Sequence, residues 1–101
     1  MVTPTVTRSR IAEVLGAAAD LLDAEGWDPL RKPIVTAIDQ AAGFVPGKGS
    51  PDAEQLTLDA WDQLATHLDV PSVALWEREI GRTPLQVHAA LHGAAAKAVT
   101  W

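Results

Sequence analysis

The run IAEVLGAAADLLDAEGW, residues 11–27, reads as one amphipathic helix and its stop. Ile11, Val14, Leu15, Ala18, Leu21 and Leu22 recur at spacings of 3, 1, 3, 3 and 1, which gathers them on one helical face. Glu13, Asp20 and Asp23 fall on the other side. Gly26 ends the run, because the left-handed position after a helix suits a residue without a Cβ. Trp27 follows it, where a Schellman ending predicts contact with Leu22.

Working outward, the same grammar repeats. Upstream, MVTPTVT (residues 1–7) is polar, β-branched and holds Pro4, so it reads as a flexible arm before a helix that starts at Arg8 or Ser9. Downstream, Pro33 is expected in the first turn of a second helix, with Ile34, Ala37, Ile38 and Ala41 as its stripe. Gly43-Phe44 repeats the glycine–aromatic stop, with Phe44 turned back toward Ile38. VPGKGS (residues 45–50) is a loop. Ser50-Pro51-Asp52-Ala53-Glu54 combines a serine cap, proline at N1 and two acids at the positive end of a helix dipole. The third helix is expected to bury Leu58, Trp61, Leu64, Ala65 and Leu68, and to end near Asp69. A two-turn helix within residues 70–82 places Val73, Trp76 and Ile80 on one side. Thr83-Pro84-Leu85-Gln86 is a capping box, opening a last helix with Val87, Leu91, Ala94, Ala95 and Ala98 on its stripe. Gly93 inside it costs about 1 kcal/mol relative to alanine, and suits a close crossing. The expectation is one all-α domain over residues 8–101, a compact bundle of four main helices and one short one.

Composition narrows the function. The chain has 101 residues, 48% of them hydrophobic, and no cysteine, which excludes disulfides and thiolate chemistry. The net charge is −5, which argues against a phosphate-binding face; Arg8 and Arg10 alone would carry a nucleic-acid role. Residues 1–10 lack the apolar core of a secretory signal, and no run reaches the roughly 18 apolar residues of a membrane span. A cytoplasmic protein that does not engage membranes is expected.

Three stretches carry a resemblance. Ala17-Ala18-Ala19-Asp20-Leu21-Leu22 with Glu25-Gly26-Trp27, then Ile34-Val35-Thr36-Ala37-Ile38 with Ala41-Ala42, then Trp76, Gly81-Arg82-Thr83, Val87 and Leu91 are similar to DUF6197, an uncharacterised family of actinobacteria and their phages. Glu77-Arg78 follows Trp76 where that family tends to carry Asn-Asp. The resemblance implies a helical fold and an actinobacterial or phage origin, and it assigns no activity.

No constellation of catalytic residues stands out, so a non-enzymatic protein without a cofactor is expected. His88 and His92, four apart on the last helix, and His67 are the candidate metal ligands. No Glu follows His88, so the HExxH logic is absent, and the three read as solvated or partly packed. Gly47-Lys48-Gly49-Ser50 lacks the first glycine and the strand of a phosphate loop. Glu54, Asp59 and Asp62 read as a wet helix face rather than an acid–base pair. Trp61 and Trp76 read as core anchors. The candidate contact residues for a protein partner, or for a second copy of the chain, are Trp76, Glu77, Arg78, Arg82 and the last residue, Trp101. A small-ligand or metal site between the third and fifth helices is the alternative.

Overall fold

The computed structural model describes residues 8–45, 47–48 and 50–98. The helices are α1 (Arg8–Glu25), α2 (Ile34–Ala42), α3 (Pro51–Leu68), α4 (Val73–Glu77) and α5 (Pro84–Ala98). A side chain or a proline relieves the first turn of α2 to α5, and α1, α2 and α3 end where one residue turns left-handed. Among the described residues there is no strand, only an isolated bridge between Asp28 and Lys32. The expected arm, residues 1–7, and Trp101 lie outside the described residues.

The predicted caps form. The Ser50 hydroxyl accepts from the Ala53 N–H at 3.1 Å. Thr83 and Gln86 exchange both bonds of the capping box, at 3.2 and 3.0 Å. The two glycine–aromatic stops differ, however. At Gly43 the bonds Gly43 N–H to Gln40 and Phe44 N–H to Asp39 make a Schellman ending. At Gly26 a single bond to Leu22 makes the simpler left-handed ending, which leaves Trp27 free to reach elsewhere. Asp69 ends α3 with the Schellman pair of bonds at φ 55°, where glycine would be expected.

Three expectations are corrected. Pro33 precedes α2 as its N-cap, in extended conformation, and offers no side-chain bond. The buried face of α3 is Leu56, Thr57, Ala60 and Leu64, while Leu58 is 50% exposed. The short helix spans five residues only: Ser72 caps it, the chain turns after Glu77, and Ile80 is fully exposed instead of sharing a side with Val73.

α1 lies along α5 and α2, and α3 closes the bundle against all three. Leu15, Ile34, Ile38, Leu64, Leu91, Val14, Val73 and Val87 fill the centre. Ala18, Ala19, Ala37, Ala60, Ala90 and Ala94 are buried between them, and their small side chains let the helices approach closely. Trp27, Trp61 and Trp76 pack against this core from its margin. A Cβ on Gly93 would stand 2.6 Å from Nε2 of His67, so the glycine makes room for an imidazole of α3.

Leu64→Ala should cost about 2–5 kcal/mol of unfolding free energy in a urea titration. Leu58→Ala, assigned to the same stripe by periodicity, should cost less than half as much.

Candidate functional site

The α1–α2 loop is tightly built. The Asp28 carboxylate accepts from the N–H groups of Leu30 (2.8 Å) and Arg31 (3.1 Å), which hold its carboxyl below the ordinary value. Lys32 reaches Glu25 at 3.3 Å and Gln40 at 2.6 Å, joining the end of α1 to α2.

This loop delivers Trp27 and Ile34 to one acceptor. Oε2 of Glu77, from α4, receives the indole N–H of Trp27 at 2.8 Å and the backbone N–H of Ile34 at 2.7 Å. Ile34 is completely buried and opens α2, so its N–H has no intrahelical partner. Glu77 thus caps a helix 43 residues away in sequence. It is 3% exposed, so the candidate contact residue Glu77 is buried in the fold and does not stand at the surface. Burial pushes its carboxyl above the ordinary value, against the bonds from Trp27 and Ile34 and the charge of Arg78.

A groove of about 480 Å³ lies beside this junction, between α2, α3 and α4. Its walls include Val35, Phe44, Leu58 and Trp61, with Asp39, Glu54, Glu77 and Arg78 as its charged members. The Thr57 hydroxyl donates to Asp39 at 2.5 Å, tying α3 to α2 at the groove wall.

The sequence profile of DUF6197, described as a family of unknown function, matches residues 6–97. The chain belongs to DUF6197. No curated protein and no solved structure matches it.

Other candidate residues of this DUF6197 chain are dispersed. Arg82 stacks its guanidinium 3.9 Å from the centre of the Trp76 ring, donates through Nε to the Trp76 carbonyl at 2.9 Å, and pairs with Glu79. Trp76 and Arg82 are therefore half-buried partners of each other, while Arg78 is exposed at the groove. The histidines do not converge. The His67 ring rests over Gly93, and its pKa is lowered by burial and by the charge of Lys97. Nδ1 of His88 lies 2.7 Å from Asp23 of α1, outside hydrogen-bonding geometry, and its ring centre is 4.3 Å from that of His92. Among the described residues no group of three His, Asp or Glu side chains can hold one metal ion.

Sequence reasoning did not single out three exposed apolar side chains, Leu75, Ile80 and Leu85, all within residues 75–85. Leu75 also lines a crevice of about 140 Å³ with Val70, Pro71, Trp76 and Glu79. Reading Ile80 as core concealed this surface.

Glu77→Ala, leaving two buried donors unpaired, should cost about 2–4 kcal/mol by urea denaturation, whereas Glu77→Gln keeps an acceptor and should fold. Because the folded carboxyl binds its proton more tightly than the unfolded one, this group alone adds stability as pH falls through the window between the two values. Wild type should therefore gain stability relative to Glu77→Gln as pH drops from about 7 toward 4.5, the ordinary value for glutamate. The opposite trend would mean that the fold favours the carboxylate.

Proposed function

We propose that this protein is a non-enzymatic, cytoplasmic interaction module that engages another protein, or a second copy of itself, through the α4–α5 turn. The observation that carries the reading is the exposure of Leu75, Ile80 and Leu85 in the same stretch of chain as the half-buried Trp76–Arg82 stack. Exposed large apolar side chains, an aromatic residue and an arginine are a common composition for the centre of a protein interface. Arg78 and Glu79 supply a polar rim. Glu77, the buried carboxylate, holds the fold together in this reading and is not a general base. The net charge of −5 favours a protein partner over a nucleic acid. That no helix among the described residues is long and apolar enough to cross a membrane is consistent with the reading.

The family resemblance implies an actinobacterium or its phage as the source, which sets the lysate for a test. A tagged chain should retain one partner, or elute as a dimer at micromolar concentration. The double variant Ile80→Glu, Leu85→Glu should fold with wild-type circular dichroism and lose that partner or elute as a monomer. Retention of the same partner by the folded double variant would remove this surface from the interface.

A further inference from the structure

We propose that the groove between α2, α3 and α4 binds a small organic ammonium ion, its apolar part against Phe44, Leu58 and Trp61 and its charged head beside the carboxylates of Asp39, Glu54 and Glu77.

Size comes first. About 480 Å³ lies within the range of small-molecule sites, and a wall that is mainly apolar with few polar groups is their usual composition. The charge of the lining selects the ligand. Three carboxylates face one guanidinium, that of Arg78, so the groove carries a net negative charge. Aromatic rings such as Trp61 and Phe44 add attraction for cations.

Glu77 is the second, independent observation. Both donors that reach it use Oε2. Oε1 accepts no hydrogen bond among the described residues and is not fully shut off from solvent, on a side chain that is 3% exposed and lines the groove. A largely buried carboxylate whose second oxygen is left to water can exchange that water for a charged donor. Burial raises the proton affinity of Glu77, and an ammonium head would offset that cost. A bare metal ion is the poorer occupant, because the carboxylates of the groove are not grouped closely enough to coordinate one. An organic cation spreads over a larger surface and can meet them separately.

The test uses the full chain and three probes of one shape: phenethylammonium, its neutral isostere 2-phenylethanol, and phenylacetate. Phenethylammonium at millimolar concentration should raise Tm by a few degrees and shift the Trp61 indole NMR signal, following RT ln(1 + [L]/Kd). The neutral probe should bind at least tenfold more weakly, and the anion should leave both readouts unmoved. Glu54→Gln, at an exposed position, should weaken phenethylammonium several-fold, and Glu77→Gln tenfold or more. Should Glu77→Gln not fold, Asp39→Asn, which keeps an oxygen for Thr57, takes its place. Equal binding of the cation and the neutral isostere would overturn the proposal, as would no response of Trp61 to phenethylammonium. Binding of a lysine peptide without any response to the free amine would also overturn it, and would give the groove to a protein partner.

Discussion

One carboxylate oxygen ties three parts of this bundle together. Oε2 of Glu77 accepts from Trp27, two residues beyond α1, and from the first residue of α2, while Glu77 itself ends α4. The need arises at Pro33. A proline before a helix has no side chain that can accept a hydrogen bond, so the N–H of Ile34 starts α2 without a local cap. Ile34 is in the core, beyond the reach of water. An unpaired donor there would cost about 1–3 kcal/mol. α4 must therefore lie across the α1–α2 corner, and the groove between α2, α3 and α4 is the space left beside that crossing.

The boundaries that have local signals were legible. The serine–proline start of α3, the Thr83–Gln86 box and the glycine stops each act within a few residues. The face of α3 was legible only in part: Leu64 is buried and Trp61, Ala65 and Leu68 pack against the core, but Leu58 does not. Leu64 belongs to both possible stripes, one through Leu58 and Trp61, the other through Leu56, Thr57 and Ala60. Periodicity favours the stripe with the larger apolar side chains. The fold buries the other, because Ala60 lets α3 come close and Thr57 satisfies its hydroxyl on Asp39. That bond crosses 18 residues and leaves no local mark in the sequence.

The site was hidden by the same limit. Glu77 stands in Trp76-Glu77-Arg78-Glu79, a run that reads as a solvated helix surface. Its partners lie 50 and 43 residues away, and nothing around it announces burial. Ile80 erred in the opposite sense. A second helical turn would have kept it on the side of Val73 and Trp76, but α4 stops at Glu77, where the chain must turn to begin α5 at Pro84. A shortened helix thus converts a core residue into a surface one. Trp76 was read more nearly, since it does touch the core, though Arg82 covers it from outside.

The identity of residue 77 carries one further consequence. A glutamine there could accept both hydrogen bonds through its own oxygen and would bury no charge. Taking a carboxylate out of water is costly, and two N–H bonds offset only part of that cost, which is why burial dominates the direction in which its proton affinity moves. The architecture alone therefore needs an acceptor at this position and does not need an acid. An acid whose second oxygen is left to solvent on the wall of an apolar groove suits the positively charged occupant proposed above. Fold and ligand would then draw on different oxygens of one side chain: Oε2 for the corner of the bundle, Oε1 for the occupant of the groove.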